Sequence, residues 1–161
     1  MTVLGFANGC FDGLHEGHRH FLRECVMNCD RLVVALNTDE DVARLKGEGQ
    51  PGAPLRRRAS DVFDHLRPGD LVTSFAGEQQ LQDLILDLGP TILFKGEDYY
   101  GKAAAGQALV RRVHYVARHP GYVSTGASWP MKTTHPVDAL IAAAWPKDDD
   151  PLRRPASRDT P

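Results

Sequence analysis

Asn8-Gly9-Cys10-Phe11-Asp12-Gly13-Leu14-His15-Glu16-Gly17-His18 lies between an apolar run, Val3-Leu4-Gly5-Phe6-Ala7, and a stretch with Phe21, Leu22, Cys25 and Val26 at helical spacing. The first flank reads as a buried strand over 3–7 and the second as a helix over about 15–28. A glycine-broken turn between strand and helix gathers free backbone N–H groups at the positive end of the helix dipole, which suits an anion. His15 and His18 stand three residues apart at the helix entrance, so both imidazoles project on one side. Taken singly, such residues read as a turn and a solvated helix face. Together they point to phosphate.

The 161 residues suffice for one ordinary domain with a real core. Apolar content of 42% and charged content of 25% are those of a soluble globular protein. A formal net charge of −2 gives no reason to expect nucleic acid or a membrane as partner. No run reaches transmembrane length and no basic region precedes a long apolar stretch, so a cytoplasmic location is expected. Cys10, Cys25 and Cys29 fit a reducing compartment, and they lack the paired C-x-x-C knuckles of a zinc site. Cys25 reads as a small core residue and Cys10 as a thiol at the mouth of the turn.

Working outward, 31–37 is apolar almost throughout, as central parallel strands are. Strand, helix and strand at this spacing make a right-handed βαβ unit. Thr38 is a candidate N-cap with acidic residues behind it. A Gly/Pro-rich loop over 46–54 leads into a helix from Leu55 through Leu66, then a strand over 71–75. Leu81, Leu84, Ile85 and Leu88 form a helical stripe stopped by Gly89-Pro90. A strand over 91–96, a helix over about 103–112 and a strand near 114–117 complete the alternation. The class is α/β, a Rossmann-like doubly wound parallel sheet. Ligands in such sheets lie beyond the carboxyl ends of the strands, where the loops 8–18, 37–39, 95–100 and 118–128 fall. One domain is expected over 1–145, with 146–161 as a flexible tail.

Gly9, Phe11, Asp12, His15, Gly17 and His18 complete the pattern G-x-F-D-x-x-H-x-G-H. This resembles the H-x-G-H signature of the cytidylyltransferase-like nucleotidyltransferases. Residues 30–39 are similar to the second-strand segment of both heptose 1-phosphate adenylyltransferases and glycerol-3-phosphate cytidylyltransferases. Leu45-Lys46-Gly47, Pro54 with Arg58 four residues on, and Phe94-Lys95-Gly96-Glu97-Asp98-Tyr99 resemble the heptose branch more closely. Arg118 to Thr125 resembles that family's late arginine and Ser-Thr segment. The resemblance covers about residues 3–128. It departs at Gly126-Ala127-Ser128-Trp129-Pro130, where Pro130 would interrupt the usual helix. Many heptose enzymes also carry an N-terminal sugar kinase domain, and this chain reads as the transferase alone.

The resemblance implies transfer of a nucleoside monophosphate, AMP from ATP, to a sugar phosphate such as heptose 1-phosphate, with release of pyrophosphate. A cytidylyltransferase using CTP and glycerol 3-phosphate or a related polyol phosphate is the neighbouring reading. A non-catalytic nucleotide-binding module is the alternative of another class. Catalytic roles fall to His15, His18, Lys46 and Arg118, and nucleotide contacts to Asn8, Gly9, Cys10, Phe11, Gly17, His18, Lys95, Gly96, Ser124 and Thr125. Asp12, Asp39, Arg58 and Asp98 are the candidates for binding the acceptor, with Asp98 alternatively organising nucleotide or metal. Mg²⁺ is expected with the triphosphate, held by phosphate oxygens and water, with no dedicated protein cage in view. Family members commonly dimerise, which makes a homodimer the expectation.

Several of these residues also admit plainer readings: Lys46 as a solvated loop lysine, Ser124 and Thr125 as helix caps, the aspartates as turn residues. Arg56-Arg57-Arg58 opens a helix, where cations meet an unfavourable dipole end. A phosphate partner would relieve that cost, and the family spacing selects Arg58.

Overall fold

The computed structural model describes residues 1–118. The expected boundary at 145, the tail over 146–161, Ser124, Thr125 and the 126–130 departure lie outside the described residues. Five strands, β1 (Leu4–Gly9), β2 (Arg31–Asn37), β3 (Leu71–Phe75), β4 (Ile92–Gly96) and β5 (Arg112–Val116), pair in the order β3-β2-β1-β4-β5. Every pairing is parallel. The connections carry α1 (Glu16–Met27), α2 (Asp39–Lys46), α3 (Leu55–Phe63) and α4 (Gly77–Leu88).

Strand alternation explains why helices cover both faces. Leu32, Val34 and Leu36 of β2 pack with Leu22 and Cys25 of α1 and with Leu55, Ala59 and Val62 of α3. Val33 and Ala35, pointing the other way, pack with Leu81 and Ile85 of α4. Phe6 and Ala7 of β1, and Leu93 and Phe94 of β4, divide between the same two cores. This is the doubly wound arrangement that the alternating pattern predicts.

Local signals set the helix limits. The Thr38 hydroxyl accepts from the Asp41 N–H at 3.3 Å, capping α2. Gly89, left-handed at φ 56°, ends α4. The expected helix over 103–112 does not form. Two short 3₁₀ turns, Glu97–Tyr99 and Gln107–Leu109, stand in the connection before β5. Gly101 and Gly106 hold φ of 75° and 80°, so the helical propensity of the alanines yields to two left-handed breaks. At Gly106 a Cβ would meet Ile85 Cδ1 at 2.3 Å, so the segment lies as a strap against α4.

The winding reverses between β1 and β4. From β1 the chain builds toward β3 on one side, then crosses to β4 and β5 on the other. Strand-end loops diverge at such a switch and leave a crevice. Packing beneath it is tight. A Cβ at Gly5 would lie 2.6 Å from Phe94 Cε2 and 2.8 Å from Cys29 Sγ. Gly5→Ala should therefore destabilise the fold by about 1–3 kcal/mol. Urea denaturation should show a lower midpoint at unchanged slope, and Phe94→Leu should recover part of the loss.

Candidate functional site

The turn after β1 is fixed by one unusual residue. Phe11 adopts φ 49°, a left-handed conformation costly for a bulky side chain. Its ring is buried, tilted against His18 with centroids 5.4 Å apart and against Phe21 at 6.3 Å. Burial of the ring holds the backbone in that state and delivers the chain to the start of α1.

There the two histidines cap the helix reciprocally. The His18 N–H donates to His15 Nδ1 at 3.3 Å, and the His15 N–H donates to His18 Nδ1 at 3.4 Å. The rings stack with centroids 3.8 Å apart and an interplanar angle of 18°. An imidazole nitrogen that accepts an N–H cannot carry a proton, so each ring bears its hydrogen on Nε2. Burial, with His15 and Lys46 close by, pushes His18 down to about 4. Burial and the Arg19 charge lower His15 as well. The pair at neutral pH is two uncharged donors. The familiar S/T-x-x-E capping pattern is absent, which is why sequence reading placed both imidazoles at the helix entrance and missed their mutual bond.

Above the strand ends a cavity of about 790 Å³ lies between this helix start, the end of α2, the start of α4 and the 97–105 segment. That volume is typical of a small-molecule site. It brings together Asn8, Gly9, Cys10, Phe11, Asp12, His15, His18, Lys46, Lys95 and Asp98. Lys46 is exposed at the last position of α2, followed by left-handed Gly47. Lys95 is only 6% exposed. Its ammonium donates to Asn8 Oδ1 at 2.8 Å and sits 5.2 Å from the Tyr99 ring centroid. Burial pushes it down to about 8, and no carboxylate among the described residues pairs with it. The Asn8–Lys95 bond bridges β1 and β4 across the switch point.

The remaining predicted residues are placed differently. Arg58 does not face a phosphate. It is fully buried, donating to the carbonyls of Ala53, Cys10 and Asn37 at 3.0, 2.7 and 2.9 Å and to Asp39 Oδ1 at 2.7 Å. Four of its five N–H donors are thereby used inside the protein. Asp39 is engaged as its counter-charge and does not line the cavity. Asp12 lines the cavity, yet both carboxylate oxygens accept main-chain N–H groups, from Gly52 at 2.7 Å and Ala53 at 3.0 Å. Gly17 sits in the first turn of α1 and Gly96 ends β4, neither lining the cavity. Arg118 is exposed two residues beyond β5, also outside the lining.

One cluster escaped the sequence reading. Asn37 Nδ2 donates to Asp41 at 2.7 Å, Arg44 donates to the other carboxylate oxygen, and the Cys10 thiol donates to Asn37 Oδ1 at 3.6 Å. Burial pushes the Asp41 carboxyl up, but bonds from Asn37, Arg44 and the Gly77 N–H bring it below its ordinary value. The Cys10 thiol is pushed up by burial, against the lowering charges of Lys46 and Arg58. The start of α4, which follows β3 and carries Gly77 and Glu78, lies at the same edge by the strand-end rule. No group of three or more metal-ligating side chains stands together among the described residues. No helix among them is long and apolar enough to cross a membrane.

A family model described as cytidylyltransferase-like matches residues 6–140. The chain is 42% identical over 126 residues to the bifunctional protein HldE of Acidiphilium cryptum, covering 76% of this chain and 26% of that protein. It is 48% identical over 107 residues to the protein of the same name from Nitrobacter hamburgensis, covering 66% and 22%. The chain thus spans about a quarter of the length of these curated relatives. Among solved structures, the lipopolysaccharide core biosynthesis protein of Thermoplasma volcanium superposes with a TM-score of 0.57 at 24% identity, covering 74% of this chain and 99% of that one. That likeness shows a shared fold.

The histidine cap has a consequence in acid. Burial disfavours a charge on His18, and protonation of Nδ1 would also break the bond it accepts, so the unfolded chain binds a proton more readily than the folded one. His18 therefore contributes stability that is fully present above about pH 6.5 and is lost as pH falls toward about 4. Chemical denaturation across this range should show a loss on the order of 2–3 kcal/mol. His18→Asn keeps an acceptor at the Nδ1 position without titrating, and should flatten that part of the profile.

Proposed function

The chain belongs to the cytidylyltransferase-like family, and from that premise we propose that it is a nucleotidyltransferase moving AMP from ATP to a sugar phosphate such as heptose 1-phosphate. The observation that carries the reading is the pair of Nε2–H donors at the start of α1, sharing one cavity with Lys46 and Lys95. The curated relatives named HldE and the likeness of Phe94-Lys95-Gly96-Glu97-Asp98-Tyr99 to the heptose branch support the choice of adenylyl transfer.

An oxygen of the acceptor phosphate attacks the α-phosphorus in line. The bond from that phosphorus to the bridging oxygen of the β-phosphate breaks, and pyrophosphate leaves. Both reactants enter as anions, so no proton needs to be moved, and the task is positioning and charge stabilisation. The histidines suit it as neutral donors: with Nδ1 engaged in the cap, each ring carries its hydrogen on Nε2, the donor a phosphate oxygen would accept from as charge builds. Lys46 supplies a point charge from the glycine-bounded end of α2. Lys95, desolvated and without a carboxylate partner among the described residues, supplies the second at the switch point. Mg²⁺ belongs to the same proposal as an ion that arrives with the triphosphate, held on phosphate oxygens and water. Arg118, Ser124 and Thr125 complete the proposal as phosphate contacts on the chain after β5, and Asp98 as a hydroxyl acceptor for the sugar. A homodimer is part of the same proposal, and light scattering in solution tests it.

Pyrophosphate release is the direct assay. ATP with Mg²⁺ and heptose 1-phosphate should turn over, while His18→Ala should lower kcat by about 10²-fold or more, the cost of losing one such donor. Turnover with CTP and glycerol 3-phosphate, and none with ATP, would replace the adenylyl reading. Equal pyrophosphate release by wild type and His18→Ala would remove the catalytic reading altogether. The pH profile supplies a separate check on Lys95, whose ammonium persists below about pH 8. Activity should decline as pH rises through that value, and Lys95→Arg, which stays charged, should move the alkaline limb upward.

A further inference from the structure

Asp12 and Arg58 both read from sequence as acceptor ligands, and the structure uses both on the same short loop. Asp12 takes the N–H groups of Gly52 and Ala53. Arg58 Nε donates to the Ala53 carbonyl, and Nη1 of the same guanidinium donates to the Cys10 carbonyl. Cys10 and Asp12 flank Phe11, the one non-glycine residue at positive φ among the described residues. The bonds therefore close a ring: from Cys10 through Phe11 to Asp12, across to Gly52 and Ala53, and back through Arg58. A residue in a costly conformation persists only where its surroundings over-determine it. Here the peptide on one side of Phe11 and the side chain on the other are tied to the same loop. The Phe11 ring in turn lies against His18.

We propose that Asp12 and Arg58 form one positioning clamp, joining the 50–54 loop to the turn and holding the histidine pair in its donating geometry. This rests on reading that turn as the triphosphate site. Neither residue needs to touch the reacting atoms. Asp39 neutralises the buried guanidinium from the far side, and the Asn37 carbonyl anchors it to the end of β2. The clamp acts on groups that stabilise charge in the transition state, where a misplacement of about 1 Å can cost on the order of 10²-fold. Its loss falls on kcat more than on KM for the nucleotide.

A double-mutant cycle with amide exchange tests this. D12N places an amide donor against the loop N–H groups, and R58K keeps the charge beside Asp39 but cannot span three carbonyls. Each variant should lower kcat at least tenfold with KM for Mg-ATP within threefold, and the double variant should be no worse than the poorer single one. Exchange at the Gly52 and Ala53 amides should quicken in R58K, although Arg58 touches neither N–H. If R58K does not fold, D12N alone decides, because it should expose the Arg58 Nε–H that Asp12 does not contact. Multiplying kcat losses, or protection of the Gly52 and Ala53 amides that ignores Arg58, would overturn the clamp. Exchange needs no substrate. Coupled protection in a protein that releases no pyrophosphate with any nucleotide would overturn nucleotidyl transfer and leave the clamp standing.

Discussion

The winding of the sheet reverses beside β1, and the placement of every group at the site depends on that reversal. Parallel strands send all their carboxyl ends to one edge, so the loops after β1, β2, β3 and β4 converge there. At the reversal the flanking connections turn away to opposite sides, which opens a crevice at the end of β1. The turn carrying the histidines stands at that gap. Asn8 on β1 and Lys95 on β4 hydrogen-bond across it, which sets a buried cation in the cavity that the histidine pair also lines.

The start of α1 meets two demands with one device. A helix N-terminus leaves backbone N–H groups without partners, and a phosphate site wants donors. Each imidazole accepts a backbone N–H through Nδ1 and so keeps its hydrogen on Nε2. Serine or aspartate would cap as well but would offer no such second face. Holding the rings neutral is part of the same design, since burial and the Lys46 charge oppose a proton on His18.

Carboxylates and arginines divide the labour in a way their chemistry alone does not announce. Asp12, Asp39, Asp41 and Arg58 are the groups a substrate hydroxyl or phosphate would choose, yet all four spend hydrogen bonds on the protein. A buried guanidinium must find acceptors, and three carbonyls from three segments supply them. The result is rigidity in the loops around the cavity. Lys95 stands apart, with a neutral amide for a partner and no counter-ion among the described residues.

The sequence by itself determined the fold class, the strands and most helices, because strand alternation and helical stripes are local in origin. It also determined that His15, His18 and Lys95 meet, because strand-end loops of a parallel sheet must share an edge, whereas the family resemblance picks out Lys46 at the end of α2. It overreached at 103–112, where alanines read as helix and two left-handed glycines made a strap. Tertiary structure alone decided what Arg58 and Asp12 do, since their partners lie on segments up to 48 and 41 residues away. It likewise decided the tautomer of the histidines, which depends on which ring nitrogen meets a backbone N–H. The opening stretch announces a phosphate turn. Its donors and its stiffness come from long-range hydrogen bonds and ring packing, which residue types and spacing do not encode.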